Sequence, residues 1–117
     1  MANPEIKWKT IAGREFLCFE FKGSFLEAEA RVAVNVWRKE FASKPGQKID
    51  IVWHCLEMKT YDSESRRLWQ DAIMEMKNQM GDIWLVTRSP FIKIGGNFIS
   101  MFTRFNVITV SSEDEIK

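Results

Sequence analysis

The sequence predicts an α/β fold with a mixed, mostly parallel central sheet. Its elements follow the order β-β-α-β-α-β-α-β, with a short helical stub after the last strand. Three observations carry this reading. Two continuous apolar runs, Ile49–Cys55 and Asp82–Thr87, have the character of strands buried on both faces. Helical periodicity separates the strands, which implies crossovers between parallel neighbours. At the amino end two short alternating runs flank a glycine, the pattern of an antiparallel hairpin. The 117 residues suit one domain, 1–117.

Each element has a local reason. Ile6–Thr10 alternates, Ala12-Gly13-Arg14 supplies a turn, and Glu15–Lys22 is an aromatic-rich second strand. Ser24 and Glu27 have the spacing of a capping box ahead of a helix. Helical periodicity then runs through Val32, Val36 and Trp37 toward Phe41, and Lys44-Pro45-Gly46 stops it. Ile49–Cys55 is apolar on both sides, the pattern of a central strand covered twice. Leu68, Trp69, Ala72, Ile73, Met76 and Met80 recur at helical spacing as one stripe, and Gly81 suits the helix end. After the strand 82–87, Ser89-Pro90 has the cap-then-proline signature of a helix start. That helix is apolar through Phe91, Ile92, Ile94, Phe98, Ile99, Met101, Phe102 and Phe105, with Gly95-Gly96 inside as a weak point. Val107–Val110 is the last strand, and 111–115 resembles the first turn of a helix.

Composition narrows the function classes. The formal net charge is +1, and no basic stripe interleaved with aromatics runs along the chain, so a nucleic-acid partner is not expected. No apolar run reaches membrane-span length, and residues 1–5 lack the basic and apolar regions of a signal peptide; a cytoplasmic location follows. Cys18 and Cys55 lie in apolar strand runs and read as buried thiols. With a single histidine and no C-x-x-C spacing, neither a metal site nor a cofactor is expected.

The chemistry concentrates at one corner. Tyr61-Asp62-Ser63-Glu64-Ser65 stands where a polar loop after the strand meets the next helix. Hydroxyls and carboxylates thus gather at a helix start beyond the carboxyl end of a strand, where ligands and regulatory groups collect in α/β sheets. Capping by Asp62 is the plainest role there, and Glu64 suits the helix dipole. Histidine is the side chain suited to acid–base chemistry near neutral pH, but His54 has no evident nucleophile partner, and Cys55 beside it should face the other way.

This order and these spacings resemble the STAS domain, shared by anti-sigma-factor antagonists and the cytoplasmic tails of sulfate transporters. Trp53-His54-Cys55-Leu56 stands at the family's strand end, Tyr61-Asp62-Ser63-Glu64-Ser65 at its Asp-Ser-Ser-Gly motif, and Leu85-Val86-Thr87-Arg88-Ser89-Pro90 at its later strand and helix start. The resemblance implies a non-enzymatic bacterial signalling module that binds a protein partner, an anti-sigma factor or kinase-like regulator. In that family the second serine of the motif is phosphorylated, and the added charge releases the partner. Here Glu64 occupies that position, Ser65 replaces the glycine, and His54 replaces the strand-end aspartate, which implies a member working without the usual phosphoserine switch. Asp62, Ser63, Glu64, Ser65, Arg66 and His54 are the candidate partner-binding or regulatory residues, with Ser63 or Ser65 as alternative acceptors of a phosphate. Phe91, Phe98 and Phe102 form a second candidate site, either a patch for self-association into a homodimer or the lining of a pocket in a small apolar-ligand or lipid carrier.

Overall fold

The computed structural model describes residues 2–117; Met1, the first residue of the segment read for a leader, lies outside them. The element order is β1 (Glu5–Ile11), β2 (Arg14–Phe25), α1 (Glu27–Ala42), β3 (Ile49–Tyr61), α2 (Ser63–Glu75), β4 (Met80–Val86), α3 (Pro90–Thr103) and β5 (Val107–Val110). The five strands lie in the sheet in sequence order; β1 and β2 are antiparallel and every later pair is parallel. The mixed sheet, its hairpin and the order of elements agree with the sequence reading.

The hairpin closes on two residues. Ile11 faces Arg14, and Ala12 and Gly13 both take positive φ, 52° and 79°. Such a turn matches the right-handed twist of the strands it joins.

The helices do not sandwich the sheet. Strands added in one direction by right-handed crossovers send every helix to the same face. Side chains of all three α-helices accordingly share one core with Leu17, Phe19, Phe21, Ile51, Trp53 and Leu85. Trp69 lies at its centre, edge-on to Phe19 at 5.8 Å and to Phe25 at 5.0 Å. The opposite face, expected from the sequence to be covered as well, holds Phe16, Cys18, Val52, Trp84 and Val86. A short carboxyl-terminal segment crosses it and inserts Ile116, with one 3-10 turn at Glu113–Glu115 where the helical stub was expected.

Four local readings change for identifiable reasons. First, β2 continues to Phe25, so Ser24 is a strand residue and caps nothing; Leu26 occupies the cap position of α1, and Glu29 accepts from its N–H at 3.0 Å. Second, the polar loop expected after Cys55 is strand. Residues 56–61 pair with the end of β2 up to Phe25↔Tyr61, across register shifts next to Glu20 and Gly23. The Glu57 and Lys59 side chains are exposed, which gave the segment its loop-like composition. Third, α2 ends at Glu75, and Met80 and Gly81 begin β4. A Cβ on Gly81 would stand 2.3 Å from Asp50 Oδ1 and 2.9 Å from the Ile49 carbonyl oxygen, so glycine there admits the neighbouring strand. Fourth, Gly95-Gly96 does not interrupt α3, and both residues are buried contact points.

Candidate functional site

The corner is built by the sheet. β4 pairs with β3 only as far as His54↔Val86, whereas β2 accompanies β3 to Tyr61. The two strands therefore run on as an arm, and their ends Phe25 and Tyr61 lie in register. Helices α1 and α2 start immediately beyond those ends, side by side.

Asp62 caps both helices. Its Oδ1 accepts from the Ser65 backbone N–H at 2.7 Å, and its Oδ2 accepts from the Glu27 N–H at 3.2 Å. Donors at two helix starts that would otherwise lack partners thus share one carboxylate. The hydrogen bond from the Ser65 backbone holds the Asp62 carboxyl below its ordinary range against the opposing effect of burial, with lesser help from the Ser65 side chain and the Glu27 N–H.

The residues predicted to form a site fall into different environments. Ser63 is exposed. Glu64 is half-buried and ion-paired with Arg67 one turn on, and that pair holds the guanidinium pKa above its ordinary value. Ser65 is fully buried and donates from Oγ to the Asp62 carbonyl at 2.8 Å. It belongs to the frame of the corner and not to its surface. Arg66 lays its guanidinium over the Phe98 ring at 4.0 Å. His54 is not part of the cluster. It lies between Trp53 and Cys55, whose side chains enter the helix-side core, so strand alternation sends it to the opposite face. The same alternation separates it from Cys55, whose thiol is pushed well up by burial. Burial likewise raises the Cys18 thiol to about 11. Both cysteines are free and buried. Among the described residues no group of three or more His, Cys, Asp or Glu side chains is placed to hold a metal ion.

Beneath α3 lies an apolar cavity of about 60 Å³, bounded by Phe21, Trp53, Met58, Tyr61, Leu85 and Gly95 among others. A cavity of roughly 150 Å³ is the scale that admits benzene, so this one is smaller than a single aromatic ring requires. Phe91, Phe98 and Phe102, proposed as its lining, stand outside it. Phe91 stacks on Tyr61 at 4.6 Å and Phe98 on Phe102 at 4.8 Å, with Phe91 46% and Phe102 63% exposed. Tyr61 stands in the Tyr61–Ser65 motif but not among the individually named candidate residues. It links the corner to α3 by that stack and by packing against Gly95. Its signal was available, since it directly precedes the Asp62 cap.

No protein-family model and no curated protein matches the sequence. Solved structures do match. An uncharacterized protein of the DUF3478 family from Shewanella loihica PV-4, described as having a SpoIIAA-like fold, superposes with a TM-score of 0.76 over 96% of this chain and 89% of its own, at 8% identity. The anti-sigma factor antagonist SpoIIAA in its unphosphorylated form superposes with a TM-score of 0.66 over 92% and 89%, at 13% identity. Identities this low speak for architecture and not for a role. The element order, the mixed five-stranded sheet and its amino-terminal hairpin are thus those of the SpoIIAA-like, or STAS, fold.

Proposed function

We propose that the protein is a non-enzymatic interaction module of a bacterial signalling system, recognising a protein partner through the start of α2 and the outer face of that helix. The observation that carries this reading is the corner itself. Ser63, Glu64 and Arg67 are presented to solvent from a helix start that Asp62 ties to its neighbour, so the recognition groups are ordered before a partner arrives. Met74, 46% exposed on α2, adds an apolar contact to the charged ones.

A phosphoserine switch is not needed for this module. Glu64 stands at the regulated position and already has Arg67 as its partner, while the Ser65 hydroxyl is enclosed. Ser63 keeps an exposed hydroxyl and is the residue through which phosphate could act. An apolar-ligand carrier is the weaker reading, because none of the three phenylalanines lines the cavity beneath α3 and that cavity is small.

Affinity capture from lysate with wild-type protein and with Ser63→Ala, Glu64→Ala and Arg67→Ala variants tests the proposal. A partner retained by the wild type should be lost or much weakened in at least Glu64→Ala and Arg67→Ala. Equal capture by all the variants removes the corner from the function. A stoichiometric apolar molecule seen by native mass spectrometry would move the assignment to the carrier.

A further inference from the structure

The outer face of α3 is apolar where a surface helix is ordinarily polar. Met101 is 77% exposed, Phe102 63%, Ile94 62% and Phe91 46%. These residues, with half-buried Phe98, recur at three- and four-residue spacing, so they form one ridge. The opposite stripe, Ile92, Gly95, Gly96, Ile99 and Thr103, is buried against the sheet. Both sides of this helix are therefore apolar, and only one of them is covered.

Charge adds an independent observation. Between Asp82 and Glu113 the chain has no carboxylate, and its charged residues there are Arg88, Lys93 and Arg104. All three are exposed, and among the described residues none has a carboxylate within ion-pair distance. They stand before, within and just after α3. Arg66 adds a fourth cation at the edge of the ridge, over the Phe98 ring.

We propose that this ridge docks the protein on an anionic lipid bilayer, with α3 lying in the interface and its cations against the headgroups. An exposed apolar helix face bordered by cations and carrying no carboxylate of its own is the pattern that interfacial helices use; the Glu115 carboxylate, which shares a groove with Arg88 and Lys93, is already engaged by Ser111 and Ser112. Two considerations favour lipid over a protein. A second copy pairing through the same face would set Lys93 and Arg104 against their own kind, with no carboxylate from the segment to offset them. The ridge is also a row of methionine, isoleucine and phenylalanine side chains standing on one helix, and a fluid acyl boundary accepts it without a matching groove. No helix of the described residues is long and apolar enough to cross a membrane, so the contact is peripheral.

Vesicle flotation decides the matter. The protein should float with vesicles of equal parts phosphatidylcholine and phosphatidylglycerol, and remain behind with phosphatidylcholine alone. Added salt should weaken the association. The double variant M101E/F102E should lower the vesicle partition by about tenfold or more, and Lys93→Glu by about fivefold or more. Unchanged thermal melts will show that both variants are folded, since these side chains contribute little to the core. Ser63→Ala and Glu64→Ala should bind vesicles like wild type, so the result is separable from the α2 corner. Failure of the wild-type protein to float overturns the proposal and leaves the corner untouched. Equal flotation by M101E/F102E also overturns it. Dimerisation in sedimentation that M101E/F102E abolishes, without vesicle binding, would assign the ridge to a second copy. Loss of a captured acidic protein in that variant, again without vesicle binding, would assign it to a protein partner.

Discussion

Asp62 joins fold and site within a single side chain. A cap substituted by alanine costs about 0.5–2 kcal/mol, and Asp62 serves two helix starts. Asp62→Ala should therefore cost about 2 kcal/mol in a denaturant titration, toward the upper end of that range. Charge can be separated from geometry with Asp62→Asn, which keeps an acceptor oxygen. The Asp62 carboxyl is depressed from its ordinary 3.8 by the Ser65 and Glu27 donors. A depressed carboxyl stabilises the fold above its unfolded value, and that contribution fades as pH falls through the folded one. Melting temperature should thus fall between pH 4 and lower values in the wild type, and fall less steeply in Asp62→Asn. Parallel pH curves for the two proteins would show that the caps do not depend on the charge.

Among the elements, α3 shows how a weak local propensity can serve packing. Alanine is better than glycine in a helix by roughly 1 kcal/mol, which would favour Gly95→Ala. Space opposes it: the new Cβ would lie 2.5 Å from the Tyr61 hydroxyl oxygen and 2.8 Å from its Cζ. The ring is fixed by its stack on Phe91, so it must shift bodily or α3 must lift. Overpacking of this kind costs about 1–3 kcal/mol, and the net effect should be destabilising by about 1 kcal/mol. A gain in stability on Gly95→Ala would mean that α3 is not held against Tyr61. The same contrast explains what could be read in the sequence. The α2 stripe, the Ser89-Pro90 start and the hairpin were legible because their signals are local. Residues 56–61 were not, because exposed Glu57 and Lys59 mimic a loop and the strand exists only through pairing with Lys22–Phe25. The motif serine positions were also legible, but burial of Ser65 and the placing of His54 on the far face depend on tertiary packing. The residues of the exposed ridge belong to the apolar pattern of the sequence, which marks a helix as apolar without telling which of its sides is covered.

For the molecule as a whole, the consequence of three helices on one face is an apolar sheet face that needs another cover. The segment after β5 supplies it. Ile116, 3% exposed, fills the surface formed by Phe16, Cys18, Val52, Trp84 and Val86. Polar ties accompany it: Lys9 Nζ bonds Glu113 Oε1 at 2.8 Å, and Arg14 donates to the Lys117 carbonyl. The magnitudes indicate which tie matters. The Lys9–Glu113 pair is between two partly exposed side chains, and such pairs are worth about 0–1 kcal/mol. Burying an isoleucine is worth about 1.5–3 kcal/mol, before any gain from keeping Trp84 and Phe16 from water. Ile116→Ala should therefore cost about 2 kcal/mol and Glu113→Gln less than 1 kcal/mol. Hydrogen exchange gives the spatial readout. Amides of Ser111–Ile116 should exchange faster in Ile116→Ala, while those of α1, held in the other core, should keep their relative protection. If Glu113→Gln loosens the segment more than Ile116→Ala does, the ion pair and not the apolar plug closes this face.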